Sequence, residues 1–136
     1  MKVLITGANG YIGLRLLSAL SETEHEAVAV VRNKDRLPAE LRSLFGKRLS
    51  IIEFDFLIAA DKQAACPDDI DVAYYLIHSM GGGEGFSELE SLCAEHFKDW
   101  IAPTRCQQTI YLSGLIPKMA EGTPLSQHLA SRNRVF

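Results

Sequence analysis

The 136-residue chain is 47% hydrophobic and carries a formal net charge of −3. Those values describe one domain with a real core and no room for a second, and without a basic stripe or arginine-rich run they exclude nucleic acid as a partner. No apolar run approaches the roughly 18 residues needed to span a bilayer, so no membrane partner is expected.

Cys66, Cys93 and Cys106 are odd in number and lack C-x-x-C spacing. Neither a disulfide framework nor a metal site is expected, and idle thiols in a reducing cytoplasm account for them. Met1 leads straight into a core strand, so no cleavable targeting segment is expected.

In chain order, Val3, Leu4 and Ile5 make a short strand, and Gly7, Gly10 and Gly13 follow it as G-x-x-G-x-x-G. Strand, tight turn and a helix starting near Tyr11 are the elements of a dinucleotide-binding elbow, the alternative being a purely structural turn. Gly7 supplies a left-handed backbone, Gly10 admits a pyrophosphate close to main-chain N–H groups, and Gly13 lets the helix lie against the strand. The bared N–H groups of the first helical turn, near Tyr11 and Ile12, stabilise an anion. Thr6 and Asn9 add short polar groups to the loop.

Ile12, Leu16, Ala19 and Leu20 repeat at helical spacing and predict a helix on a sheet face. Ala27–Val31 then reads as a strand buried on both faces. At its end, where an NAD site commonly carries a carboxylate for the ribose hydroxyls, stands Arg32, followed by Asn33, Lys34 and Arg36. A guanidinium there favours the 2′-phosphate of NADP over NAD; a solvated basic loop is the alternative.

Leu37, Leu41, Leu44 and Phe45 predict a second helix, with Pro38 in its first turn and Gly46 as its stop. Ser50–Phe54 is a third strand that delivers Asp55 and Phe56 to its end. They suit the amino group and ring face of an adenine, or else Asp55 caps a short helix over Ile58–Ala65. Asp71–Ile77 is the fourth strand and carries His78, Ser79 and a run of glycines at Gly81, Gly82, Gly83 and Gly85. Ligands lie across the carboxyl ends of such strands, which places His78 and Ser79 beside the cofactor, and the glycines form either a closing loop or a linker. A long amphipathic helix runs from Phe86 to Ile101 and ends at Pro103, with His96 and Trp100 on its apolar stripe, where a core role is expected of both over a functional one. Thr109–Leu112 is the fifth strand and ends in Ser113.

Strands alternating with helices give an α/β, doubly wound parallel sheet with helices on both faces and strand order 3-2-1-4-5, the cofactor lying where the order reverses. TGANGYIG at 6–13, VVRN at 30–33, DVAYYLIHSMG at 71–81 and IYLSGL at 110–115 resemble the short-chain dehydrogenase/reductase superfamily. The chain is similar to its atypical NmrA-like and nucleoside-diphosphate-sugar-epimerase-like members. The resemblance implies an NADP(H)-binding Rossmann domain over 1–136, incomplete at its C-terminal end relative to the family. It implies phosphate contacts from the Gly7–Ile12 loop, a 2′-phosphate contact from Arg32, an adenine contact near Asp55, and nicotinamide-side contacts from His78, Ser79 and Ser113. It further implies dimers formed through the helices after the fourth and fifth strands, with the stripe containing Trp100 contributing.

The family's Tyr-x-x-x-Lys, in which a lysine lowers the pKa of a catalytic tyrosine, is absent. In its place HLASR offers His128 and Arg132 at the same spacing, beside Ser113, or else a solvent-facing helix. Two functions therefore stand open. One is an NADP-dependent oxidoreductase or epimerase-like enzyme acting on a small carbonyl or sugar-nucleotide substrate. The other is a non-catalytic NADP-binding redox sensor.

Overall fold

Successive residues of a strand point to opposite faces of its sheet, and in the first strand both sets are apolar. In the computed structural model, which describes residues 1–78 and 86–113, Leu4 joins one core cluster with Val28, Ala73 and Tyr75. Val3 and Ile5 join a second with Ala27, Ala29 and Leu17. A strand apolar on both faces belongs in the middle of a covered sheet.

That central strand is β1 (Lys2–Thr6), flanked in parallel by β2 (Glu26–Val31) and β4 (Val72–Tyr75). With β3 (Leu49–Glu53) and β5 (Gln108–Tyr111) outside them, the sheet has the order β3-β2-β1-β4-β5, parallel throughout. α1 (Tyr11–Ser21) and α2 (Ala39–Phe45) cover one face through Leu17, Leu41 and Phe45. α3 (Phe86–Ile101) covers the other through Cys93, Phe97 and Trp100. The expected α/β Rossmann architecture is the observed one, with strand ends shifted by a residue or two.

Three expectations give way. The helix over Ile58–Ala65 is absent, and the segment holds only a single 3₁₀ turn, Ala60–Lys62. Its alanines favour a helix, but its one large apolar side chain, Ile58, is 46% exposed, so a helix there has no stripe to bury. Pro38 does not begin a turn of α2 but precedes it, as the N-cap residue. Trp100 is buried in the chain's own core, its ring 4.5 Å from that of Phe54 and its indole N–H bonded to the Ala64 carbonyl at 2.8 Å. It is therefore not available to a dimer face.

Candidate functional site

The loop between β1 and α1 sits where the strand order reverses, and the carboxyl ends of β2 and β4 hold it from both sides. The Ala8 N–H bonds to the Val30 carbonyl at 3.3 Å. Gly7, at φ +61°, lies so close to β4 that a Cβ there would stand 3.1 Å from the Leu76 carbonyl oxygen. Gly13 packs still more tightly: a Cβ would come within 2.6 Å of the Gly7 oxygen and 2.8 Å of the Ala8 Cα. Gly10 donates to the Gly7 carbonyl at 2.9 Å and is exposed. The elbow is thus closed on its inner side by backbone contact and open on its outer side.

α1 begins at this elbow with no side-chain cap and no acidic residue in its first turn. Its first hydrogen bond within the helix runs from Leu14 N–H to the Gly10 carbonyl, which leaves the N–H groups of Tyr11, Ile12 and Gly13 ahead of it. An uncapped, uncharged helix start beside a shielded glycine turn fits a diphosphate. Tyr11 is 71% exposed, with the Arg15 guanidinium 4.3 Å over its ring, and Asn9 is half-buried. Thr6 takes no part: it is fully buried, its hydroxyl donating to the Tyr74 carbonyl and accepting from Leu76 N–H. Its hydroxyl joins β1 to β4, and the phosphate loop proper begins at Gly7.

Arg32 is exposed at the end of β2 and makes no ion pair among the described residues. Lys34, by contrast, is held by Glu53, which accepts from its backbone N–H at 3.0 Å and lies 3.7 Å from its ammonium. The side chain of Asn33 accepts from Asp35 N–H at 2.8 Å and caps a 3₁₀ turn over Lys34–Arg36. The basic stretch therefore divides by role, with Asn33 and Lys34 shaping the loop and Arg32 presented from it.

Asp55 is half-buried at the end of β3. It caps a turn, not a helix, since its Oδ1 accepts from Leu57 N–H at 3.0 Å. Phe56 is 3% exposed and packs on Phe54, Phe97 and Trp100, so its ring faces belong to the core and not to an adenine. The charges of Asp55 and Arg32 both act on Cys93 of α3. Burial pushes the Cys93 thiol upward, the Asp55 carboxylate adds to the rise, and the Arg32 guanidinium opposes it. Glu90, one turn earlier, is also buried.

His78 is half-buried, its ring 5.9 Å from that of Tyr111, and Ser113 is exposed beyond β5. Ser79, the glycine run, His128 and Arg132 lie outside the described residues. Sequence reasoning passed over Gln63 as a site residue and assigned His96 to the core. Both hold the turn at Asp55, through bonds that only tertiary contact creates.

A parallel sheet with an uncapped helix and a shielded glycine elbow at its switch point defines a dinucleotide-binding α/β domain. The chain belongs to the NAD(P)H-binding family, whose model matches residues 7–115. No protein of curated function matches it. Among solved structures it is similar to MoeE5 in complex with UDP-glucuronic acid and NAD, at 22% identity and a TM-score of 0.72 over 99% of this chain and 47% of that one. A putative NAD-dependent epimerase/dehydratase from Bacillus halodurans shares 27% identity at a TM-score of 0.64, over 85% of this chain and 52% of that one. Gre2 from Candida albicans, in complex with NADPH, shares 18% identity at 0.63, over 83% of this chain and 37% of that one. The chain spans about half the length of these structures or less. Among the described residues no helix is long and apolar enough to cross a membrane.

Proposed function

We propose that the chain binds NADP(H) in preference to NAD(H), as the cofactor-binding part of an oxidoreductase or epimerase-like enzyme acting on a small carbonyl or sugar-nucleotide substrate. The nicotinamide dinucleotide follows from the family. Its neighbours include one structure with NAD and one with NADPH, so the choice between them falls to this chain's own residues. Arg32 carries it: an exposed guanidinium without an ion-pair partner among the described residues, standing where an NAD site places a carboxylate. Gly7, Gly10, Tyr11, Ile12 and Gly13 would hold the diphosphate, Asp55 the adenine, and His78 and Ser79 the nicotinamide side. The cofactor supplies hydride transfer when bound. In the enzyme reading Ser113 orients the substrate oxygen, His128 moves the proton and Arg132 holds ribose hydroxyls. A reducing, cytoplasmic location suits the three free thiols, and pairing of two copies through α3 involves its exposed Leu89 and not Trp100.

Fluorescence titration tests the reading. NADPH binds the wild type roughly tenfold or more tightly than NADH, and Arg32→Ala removes most of that difference while leaving NADH unchanged. Equal affinities in the wild type overturn the preference, and absence of binding by both overturns the function. The glycine elbow and Arg32 serve a second reading equally, a non-catalytic redox sensor. Partner binding that differs between NADP⁺ and NADPH, without substrate turnover, selects it.

A further inference from the structure

Where β3 ends, the chain leaves the sheet, and its last ladder bond runs from Phe54 N–H to the Val31 carbonyl at 2.9 Å. Beyond it the main chain of Asp55 has no neighbouring strand, and half-buried peptide groups need partners. Gln63 provides them. Its Oε1 accepts from Asp55 N–H at 2.7 Å, and its Nε2 donates to the Asp55 and Ile58 carbonyls, both at 2.8 Å. One residue on, the Phe56 carbonyl is bonded to His96 Nδ1 at 2.7 Å. A carbonyl only accepts, so the imidazole proton sits on Nδ1. The Phe56 ring anchors the same residue in the core. Asp55 therefore stands between two clamped peptides, its Oδ1 engaged by Leu57 N–H and its Oδ2 outside that set of bonds.

We propose that Gln63 and His96 are positioning residues that pre-form the turn at Asp55, so that its carboxylate selects an amino-purine over an oxo-purine cofactor. The inference rests on the dinucleotide reading above. A carboxylate accepts from the exocyclic amino group of adenine, whereas hypoxanthine presents a carbonyl oxygen at that carbon, and two acceptors repel. Selectivity of this kind needs a carboxylate that does not swing away, and preorganisation supplies that stiffness. Neither Gln63 nor His96 touches the purine; each acts through the peptide it holds.

The test is titration of the 136-residue chain with NADPH and with its hypoxanthine counterpart, nicotinamide hypoxanthine dinucleotide phosphate. The wild type binds NADPH about tenfold more tightly. Gln63→Ala brings the ratio close to one, with affinity for the hypoxanthine cofactor changed by less than about threefold. His96→Asp, which sets an acceptor against the Phe56 carbonyl, does the same. His96→Asn keeps a donor where Nδ1–H stands and keeps the ratio. If Gln63→Ala does not fold, the near-isosteric Asn and Asp pair at position 96 decides the matter. Wild-type ratios in both Gln63→Ala and His96→Asp reduce the two residues to a purely structural role and overturn the proposal. A wild type that binds both cofactors equally also overturns it, while the dinucleotide reading stands. If neither cofactor binds, the function reading itself fails and this inference with it.

Discussion

At the scale of single residues, the candidate site separates side chains presented to solvent from those that build its frame, and polarity alone does not tell them apart. Thr6 and Arg32 are both polar residues at a strand's carboxyl end. Thr6 is fully buried, bridging Tyr74 and Leu76, whereas Arg32 faces solvent. Thr6→Val keeps the shape but leaves the Leu76 N–H without its acceptor. We expect a loss of about 1–3 kcal/mol in urea-unfolding free energy. A stability equal to the wild type would show that water or another group replaces the hydroxyl. Phe56 divides in the same way, its ring in the aromatic core and its carbonyl on His96. Phe56→Ala is expected to cost about 3–5 kcal/mol by the same measurement.

The elements differ in how much of their form is local. The elbow of β1 and α1 was legible because glycine spacing, a preceding apolar run and a following amphipathic stripe all act within 20 residues or so. Gly13→Ala tests its packing: the added methyl meets backbone atoms at 2.6 and 2.8 Å, which cannot rotate aside. The expected outcome is a loss of about 1–3 kcal/mol, together with loss of NADPH binding, read by thermal melts with and without cofactor. A variant that binds and melts like the wild type would mean that α1 is free to shift away from the turn. Ile58–Ala65 shows the opposite case. Helix propensity favoured a helix there, but the side chain of Gln63 grips the Asp55 main chain and no apolar stripe opposes it. Long-range demand overrode local preference, as it does whenever a short segment has little to bury.

Across the whole molecule, two apolar clusters sandwich one sheet, and three ionisable groups in or against the α3-side cluster are held protonated by burial. The Cys66 thiol is pushed up to about 12, with Cys106 and Asp69 contributing after burial. Cys93 and Tyr75 are raised as well, burial again leading. The sign follows directly. Above the thiol's ordinary value of 9.0 the unfolded chain releases a proton that the folded chain keeps, so stability is full below that pH and falls as pH rises through it. Urea midpoints should therefore hold up to about pH 9 and drop as pH rises toward about 12, and Cys66→Ala should flatten the drop. A midpoint unchanged over that range would indicate that these groups reach solvent in the folded state.

The sequence by itself determined the strand order, the elbow, and the presence of Arg32 at the end of β2. Periodicity and glycine spacing are short-range patterns, and a parallel sheet built from them has few ways to wind. Only the tertiary structure decided that Phe56 and Trp100 turn inward, that Glu53 engages Lys34 but not Arg32, that Gln63 holds the Asp55 main chain and that His96 holds the Phe56 carbonyl. Those outcomes depend on which rings pack together and on which polar groups, 8 and 40 residues apart for Gln63 and His96, come within hydrogen-bonding distance. That is settled when the layers pack, not when the strands and helices form.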